Sequence, residues 1–309
     1  MMNTPSDAVI EVENLSRSYR RKDALKQVTL RVPKGCVFGL VGENGAGKTT
    51  LIKHVLGALK PQQGRVRVFG KDPVRDPVGV LADVGHLSED REMPTWMRIR
   101  ELLRYIRAFY PNWDVNYAEE LREMFRLDPA AKVKHLSRGE RALAGLLIAL
   151  AHRPKLLVLD EPSSGLDPLV RRDILGAIVR TVADEGRTVF FSSHLLDEVE
   201  RVADRVAMVA DGEVVLSGSL DVIKETHHRL VVRFETAQAR APALEGALSV
   251  HGAKHEWTVV CDGELDALHG AIAKMNATVL ETATPALEEI FIARASRMAL
   301  GSVREGSSA

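Results

Sequence analysis

A glycine-rich segment near the N-terminus has the residue types and spacing that bind nucleotide phosphates. Residues 42–50 read GENGAGKTT and match G-x-x-x-x-G-K-[ST] between an expected strand and an expected helix. Small residues let main-chain N–H groups face phosphate oxygens, and the helix N-terminus adds partial positive charge. Lys48 is placed for the β- and γ-phosphates, and the Thr49 hydroxyl for Mg²⁺. The expected phosphate-binding residues are Gly42, Asn44, Gly45, Ala46, Gly47, Lys48, Thr49 and Thr50.

Two adjacent carboxylates, Asp160 and Glu161, end the apolar run 156–159. Because side chains alternate along a strand, the two carboxylates cannot share one task. Asp160 suits the Mg²⁺ shell, directly or through water, and Glu161 suits a general base or a positioner of the attacking water. Taken alone, the pair also fits a solvated strand end before the Pro162 turn. The nearby phosphate-binding motif favours the catalytic interpretation.

His194 follows the apolar strand expected at residues 188–192. It therefore lies at the same carboxyl edge of the sheet as the two motifs above, and ligands of open α/β sheets bind at that edge. A neutral imidazole there can link the γ-phosphate and the attacking water by hydrogen bonds. A packing or surface role is the alternative for a histidine considered by itself.

These motifs, with three further segments, occur in the order found in ABC-type ATPases, which the chain resembles from about residue 10 to residue 220. The further segments are LSRGE at 136–140, LDEP at 159–162 and SGLD at 164–167. The resemblance implies two subunits that meet head to tail around two ATP molecules. Ser137 and Gly139 of one subunit would face the γ-phosphate held by Lys48 of the other, with Asp167 across the same interface. Tyr19 matches the aromatic residue that stacks on adenine.

Two positions depart from the pattern of that family. The usual signature is Leu-Ser-Gly-Gly-Gln, and here Arg138 replaces the first Gly while Glu140 replaces Gln. Ser137 and Gly139 remain, so we expect phosphate contact to persist, with Arg138 tuning the composite site through phosphate or the interface. Glu89 stands where a glutamine is usual; its carboxylate can accept from Mg²⁺-bound water and couple the site to the helical subdomain.

The elements that position these residues alternate between strands and helices, which favours a mostly parallel sheet covered on both faces. The predicted fold is α/β: a P-loop NTPase core with an antiparallel β subdomain and a helical subdomain, plus a small C-terminal α+β domain. We expect the ATP-binding domain at residues 1–225, with its helical subdomain at about 90–150. The accessory domain is expected at 226–300 and a disordered tail at 301–309.

The accessory domain shows its own alternation of strand and helix patterns. The sequence predicts strands at 230–234, 258–261 and 278–281, and helices at 242–248, 265–275 and 286–293. One more short strand near Val250 would complete a split βαβ arrangement. Earlier in the chain, residues 80–87 are expected to form a strand, and 97–125 to be helical with a break at Pro111.

Composition limits the function classes. Among 309 residues, 42 are Lys or Arg and 42 are Asp or Glu, and a net charge of zero argues against a dedicated nucleic-acid binder. The two cysteines, Cys36 and Cys261, are interpreted as reduced packing thiols. No signal peptide and no uninterrupted apolar stretch of membrane-spanning length is found. We therefore expect a cytoplasmic chain whose membrane role comes through a partner.

The favoured hypothesis is the ATPase subunit of an exporter, with ATP and Mg²⁺ as cofactors. It would act as a homodimer or with a paired ATPase subunit, on the inner face of the cell membrane, bound to a separate permease. Glu89 and the C-terminal segment 285–291 resemble the drug-, lipid- and antibiotic-export branch. The alternatives are an importer ATPase, a soluble ABC-type ATPase acting on ribosomes or DNA, and a regulatory ATP-binding module. A single phosphate-binding motif and the absence of sustained heptads disfavour the soluble machines.

Residues 90–110 are predicted to help form the docking groove for the permease. Apolar side chains lie close to Glu89 there, an arrangement common at interfaces. The residues concerned are Pro94, Trp96, Met97 and Tyr105. The alternative is that Trp96 and Met97 pack inside the helical subdomain.

Overall fold

The computed structural model describes residues 7–20, 22–183, 186–238 and 240–306. The strands are β1 (Ala8–Tyr19), β2 (Lys22–Pro33), β3 (Val37–Val41), β4 (Gln63–Val68), β5 (Val84–Leu87), β6 (Leu156–Leu159), β7 (Thr188–Ser193), β8 (Arg205–Ala210), β9 (Glu213–Ser219), β10 (His227–Gln238), β11 (Ala247–Asp262) and β12 (Ala277–Ala283). The helices are α1 (Lys48–Val55), α2 (Pro77–Leu81), α3 (Ile99–Arg107), α4 (Val115–Met124), α5 (Arg138–Leu150), α6 (Pro168–Ala183), α7 (Leu196–Val202), α8 (Leu220–Thr226), α9 (Leu265–Lys274) and α10 (Leu287–Gly306).

The chain divides into two compact units, Met1–Val214 and Val215–Ala309. The division falls inside β9, earlier than the domain boundary that the sequence predicted after residue 225. Helix α8 contacts β10, so it belongs with the second unit and moves the boundary toward the N-terminus.

A six-stranded sheet has the order β5-β6-β7-β3-β8-β9, and its first five strands in that order form the centre of the first unit. Strand β3 pairs in parallel with β7 and β8, and β6 pairs in parallel with β5 and β7. Every residue of β3, β6 and β7 is buried, as expected for parallel strands covered on both faces. The carboxyl ends of these three strands therefore meet at one edge and position whatever follows them.

An antiparallel sheet, ordered β2-β1-β4, forms a second layer of the first unit. Its alternating apolar residues, such as Val12 opposite Leu30 and Val66, share one core with Phe38 of β3 and Leu51 of α1. Strand β1 ends at Tyr19, and the start of β2 places Ala24 beside the turn that follows β3. This layer therefore brings an aromatic side chain toward the phosphate-binding loop.

Helices α3, α4 and α5 occupy the chain between β5 and β6, and α3 and α4 both contact α5. Helices α3 and α4 flank the break expected at Pro111. The strand predicted for residues 80–87 is wrong in its first half, because α2 extends to Leu81 and β5 begins at Val84. The Asp76 side chain accepts from the Gly79 N–H at 2.9 Å, and this cap starts a helix where apolar residues alone suggested a strand.

The second unit is built on a three-stranded antiparallel sheet in the order β11-β10-β12. Its core contains Leu230 and Val232 of β10, Trp257 and Cys261 of β11, and Leu268 of α9. The helix predicted at 242–248 is wrong, since among the described residues 240–246 none is helical and β11 starts at Ala247. The strand expected near residue 250 and the one at 258–261 both fall within β11, with no helix between them, so the split βαβ arrangement is not formed.

Two further expectations concern the termini and the thiols. Helix α10 continues to Gly306 where a disordered tail was predicted from residue 301, and residues 307–309 lie outside the described residues. Cys36 and Cys261 are free and buried, and burial raises their pKa values to about 11 and about 12. Both thiols are therefore protonated at neutral pH. Within the described residues, no helix is long and apolar enough to cross a membrane.

Candidate functional site

The phosphate-binding loop, residues 42–50, connects the buried end of β3 to the N-terminus of α1. Gly45 and Gly47 have left-handed backbone, with φ of 83° and 111°. A Cβ at Gly47 would lie 2.4 Å from the Ala24 carbonyl oxygen, so only glycine fits between the loop and β2. The loop therefore has the close backbone approach and the helix N-terminus that phosphate binding requires.

Lys48 lies at the centre of the loop, and its side chain is about 5% exposed. Its Nζ donates to the main-chain oxygens of Gly42 at 2.6 Å and Glu43 at 3.2 Å. The same Nζ lies 3.0 Å from Oε1 of Glu161, whose side chain is equally buried. A buried ammonium is thus held beside main-chain carbonyls by one carboxylate, and an incoming phosphate would compete with that carboxylate for it.

Asp160 and Glu161 face different partners, as the alternation of side chains along β6 predicted. The Ser192 hydroxyl donates to Oδ1 of Asp160 at 2.6 Å and accepts from the Glu161 N–H at 2.9 Å. The second oxygen of Glu161, Oε2, lies 2.7 Å from Nδ1 of His194. Glu161 therefore links Lys48 and His194, while Asp160 is tied to β7.

Ser192 is a member of this cluster that the sequence analysis missed. It is fully buried in β7, where its neighbours Phe190 and Phe191 are apolar. Its signal in the sequence is a hydroxyl residue inside a buried apolar strand, because a buried hydroxyl needs a hydrogen-bond partner. Here the hydroxyl fixes the main chain at Glu161 and the Asp160 carboxylate together.

A pocket of about 330 Å³ brings the predicted residues of several segments together. Its lining contains Tyr19, Lys22, Ala24, Asn44, Gly45, Gly47, Lys48, Thr49, Thr50, Glu89 and Glu161. The Tyr19 ring is 42% exposed, with the Arg17 guanidinium carbon 4.9 Å from its centroid. A larger groove of about 760 Å³ lies on the antiparallel sheet, but none of the phosphate-binding residues lines it.

The candidate Mg²⁺ ligands are oxygen donors: the Thr49 hydroxyl and the carboxylates of Glu89 and Asp160. Thr49 and Glu89 line the pocket, while Asp160 is only 3% exposed and accepts from Ser192. Across the described part of the chain, no group of three or more His, Cys, Asp or Glu side chains is arranged to hold a metal. This donor set fits Mg²⁺, which typically takes one or two carboxylates and completes its shell with waters and substrate phosphates.

The segment 136–140 does not line this pocket within a single chain. Ser137 caps α5: its Oγ accepts from the Glu140 N–H at 3.1 Å, and Oε2 of Glu140 accepts from the Ser137 N–H at 2.8 Å. Glu140 is thus engaged in its own helix. A Cβ at Gly139 would lie 2.9 Å from Cγ2 of Val170, so this position favours glycine for packing.

Asp167 and Arg138 both contact their own chain. Oδ1 of Asp167 accepts from the N–H groups of Leu169 at 3.0 Å and Val170 at 3.1 Å, which caps α6. The Arg138 guanidinium lies directly over Gly165. These contacts place the segments 136–140 and 164–167 side by side.

Comparison with known proteins decides the family. A family model described as "ABC transporter" matches residues 25–164. The daunorubicin/doxorubicin resistance ATP-binding protein DrrA of Streptomyces peucetius is 32% identical over 94% of each chain. The chain belongs to the ABC transporter ATP-binding proteins.

Other relatives support the same family for this ABC transporter ATP-binding protein. The ABC transporter ATP-binding protein YtrB of Bacillus subtilis is 28% identical over 93% of this chain and 98% of its own length. A solved structure described as the ATP binding subunit of an ABC transporter is 29% identical, with a TM-score of 0.64, over 70% of this chain and 92% of that chain. The predicted family, the P-loop α/β fold and the ATP-hydrolysing activity are thereby confirmed.

Proposed function

We propose that this ABC ATPase works as one half of an ATP-driven dimer that powers export through a separate permease. The observation that carries the proposal is the convergence of the phosphate-binding loop, Lys48 and Glu161 in one pocket, with His194 bonded to Glu161. Export is supported by the names of relatives, such as the bacitracin transport ATP-binding protein BcrA of Enterococcus faecalis, 32% identical over 72% of this chain.

The buried Lys48–Glu161 pair indicates how binding prepares hydrolysis. In the structure, Oε1 of Glu161 lies 3.0 Å from Nζ of Lys48 and balances its positive charge. A bound γ-phosphate would place its own negative charge beside Lys48 and take over that role. Once Lys48 turns to the phosphate, the Glu161 carboxylate can accept a proton from the attacking water. His194, which contacts Oε2 of Glu161 at 2.7 Å, would orient that carboxylate and the water.

Thr49, Glu89 and Asp160 are the residues that would hold Mg²⁺ in this proposal. When bound, Mg²⁺ neutralises the charge that develops on the phosphate oxygens. Tyr19 at the rim of the pocket would stack on adenine, and Asn44, Thr50 and the glycines would surround the phosphates.

Dimerisation would complete the site with residues of a second subunit. The N-terminus of α5, capped by Ser137, is exposed and offers main-chain N–H groups of the kind that bind anions. In the proposed dimer, Ser137 and Gly139 face the γ-phosphate of the other subunit, and Asp167 lies at the interface. Glu140 then holds the N-terminus of α5 in place through its bond to the Ser137 N–H, and Arg138 holds α5 against Gly165.

Exposed aromatic side chains in the segment 96–109 are the proposed docking surface for the permease. Trp96 is 71% exposed, Phe109 is 63% exposed and Tyr105 is 48% exposed. The rings of Tyr105 and Phe109 pack edge to face with centroids 5.2 Å apart. The alternative that Trp96 and Met97 pack inside the helical subdomain is wrong for Trp96, which is exposed, while Met97 is half-buried. Exposed aromatic side chains of this kind are typical of interaction sites. Binding of this surface to a permease would hold the chain at the inner face of the membrane.

Site-directed crosslinking tests the docking surface and the permease together. Photo-crosslinkers at Trp96 and Phe109 should trap a polytopic membrane protein in membranes of the native cell. Ile292, 53% exposed in the second unit, is the matched control position and should give no such product. Crosslinks to ribosomal proteins from Trp96, or membrane products from Ile292 alone, would contradict the proposal.

A further inference from the structure

Two arginines outside the nucleotide pocket converge on one turn of the first unit. The turn, residues 162–165, connects Glu161 to the segment that carries Asp167. Arg91 follows β5 and Glu89, and Arg138 is the first residue of α5. Neither arginine lines the pocket of its own chain, and both contact the turn that leads from Glu161 to Asp167.

Arg91 is the more deeply placed of the two, at 4% exposure. Its Nη2 donates to the main-chain oxygen of Pro162 at 2.9 Å and lies 3.3 Å from that of Ser164 and 3.4 Å from that of Glu161. Within the described part of the chain, no carboxylate forms a salt bridge with Arg91. Its hydrogen-bond partners are therefore main-chain carbonyls, and these contacts fix the backbone of residues 161–164.

Arg91 stabilises a stretch of backbone that is unfavourable by itself. Glu161, just before the turn, and Gly165, its last residue, have left-handed backbone with φ of 47° and 65°. Left-handed conformation is unfavourable at Glu161, a residue with a Cβ. Three carbonyl dipoles also point toward one place, which a buried guanidinium stabilises.

The other side of the turn is held by a second polar contact. The Ser163 hydroxyl donates to Oε2 of Glu198 on α7, and Oε1 of Glu198 lies 2.9 Å from Nε of Arg171 on α6. Burial raises the pKa of Glu198, while the Ser163 bond and the Arg171 charge oppose that rise. The turn is thus fixed between α6 and α7 on one side and Arg91 on the other.

Arg138 covers the end of the same turn. An added Cβ at Gly165 would lie 2.3 Å from Nη1 and 2.7 Å from Nη2 of Arg138, so the guanidinium fills the space over that glycine. Arg138 is close enough to Arg91 for its charge to lower the pKa of the Arg91 guanidinium, although burial is the larger cause. The altered signature therefore contacts the turn within its own subunit.

We propose that Arg91 and Arg138 are positioning residues that hold the 162–165 turn, and with it Glu161 and Asp167, in the geometry needed for ATP-driven dimerisation and hydrolysis. This inference rests on the proposed function. Arg91 also connects the segment after Glu89, which leads into the proposed docking surface, to the base of the composite site. Movement of that segment would reach Glu161 through the carbonyls that Arg91 binds.

Four variants of the full-length chain test the inference: Arg91→Met, Arg91→Lys, Arg138→Gln and the surface control Arg75→Met, whose side chain is 88% exposed. Steady-state hydrolysis gives kcat and KM, and equilibrium ATP binding without Mg²⁺ gives Kd. The fraction of dimer at saturating ATP is measured with each variant combined with Glu161→Gln.

We expect Arg91→Met to lower kcat by about 10- to 100-fold, the usual effect of a small misplacement of catalytic groups. ATP affinity should stay within about twofold of wild type, because neither arginine touches the pocket. Arg91→Lys should retain more activity than Arg91→Met, since one nitrogen makes all three carbonyl contacts and an ammonium can partly replace it. Arg138→Gln should lower kcat and the dimer fraction less, and Arg75→Met should change neither.

Wild-type kcat and dimer fraction in both Arg91→Met and Arg138→Gln would overturn the inference. So would a loss of ATP affinity that matches the loss of kcat. If Arg91→Met does not fold, Arg91→Lys and Arg138→Gln decide the result, because Arg138 is exposed. Failure of Glu161→Gln alone to form an ATP-bound dimer would instead refute the proposed function.

Discussion

Replacing Glu161 with glutamine removes one buried negative charge and keeps the size of the side chain. In the structure that carboxylate lies 3.0 Å from Nζ of Lys48 and 2.7 Å from Nδ1 of His194. Glutamine cannot accept a proton from the attacking water, so hydrolysis should fall by a factor on the order of 10²–10⁴. That factor corresponds to a barrier increase of roughly 3–5 kcal/mol.

The same change should alter stability in a way that depends on nucleotide. Breaking a buried ion pair from one side costs about 3–5 kcal/mol, because the remaining charge stays desolvated. Lys48 keeps its bonds to the Gly42 and Glu43 carbonyls, so we expect the low end of that range without nucleotide. ATP restores a negative charge beside Lys48. It should therefore raise the Tm of Glu161→Gln more than it raises the Tm of wild type.

Two measurements check this pair of effects: phosphate release at saturating ATP, and thermal unfolding with and without ATP. Glu123→Gln makes the same chemical change at a side chain that is 69% exposed on α4, and it should behave as wild type in both. Hydrolysis near the wild-type rate would remove Glu161 from the catalytic role. An equal ATP-induced rise in Tm in variant and wild type would show that ATP does not compete with Glu161 for Lys48.

Three more predictions follow from buried polar groups. Lys48→Ala should abolish ATP binding or hydrolysis, and wild-type turnover would refute the role of the loop. Ser192→Ala removes the hydroxyl that bonds to the Glu161 N–H and to Asp160. It should lower the free energy of unfolding, measured in urea, by about 1–3 kcal/mol. An unchanged value would show that water replaces the hydroxyl. In the three histidines that are almost fully buried, burial lowers the pKa below 6.5. The unfolded chain therefore binds protons first, and stability should fall as pH drops below 6.5, by up to about 1.4 kcal/mol per pH unit for each. These histidines are His54, His152 and His227. A urea titration between pH 7.5 and 5.5 checks this, and His54→Asn should reduce the slope; equal slopes would contradict the assignment for His54.

Local motifs predicted well which residues line one pocket, because the residues of each motif are neighbours in the sequence. The spacing from Gly42 to Thr49 requires the turn that the structure shows, and the apolar run before Asp160 requires a buried strand. Tyr19 and Glu89 reach the pocket from distant segments, and only the resemblance to ABC-type ATPases indicated them.

Arg91 and Ser192 escaped prediction because their roles depend on contacts across the fold. Arg91 lies in a polar stretch that suggests solvent, yet its acceptors are carbonyls about 70 positions later in the chain. The expected helix at 242–248 failed for a similar reason. Its apolar residues also suit a strand edge, and Gly246, just before β11, accepts from the Asp262 N–H at 2.9 Å, a contact from 16 positions later in the chain.

The central claim is that two copies of this chain enclose two ATP molecules. Native mass spectrometry of Glu161→Gln with ATP and Mg²⁺ counts both subunits and nucleotides in one experiment. We expect a species of two 34.0 kDa chains with two ATP bound, and its loss when Lys48→Ala is added. A monomer with a single ATP at saturating nucleotide would contradict the claim.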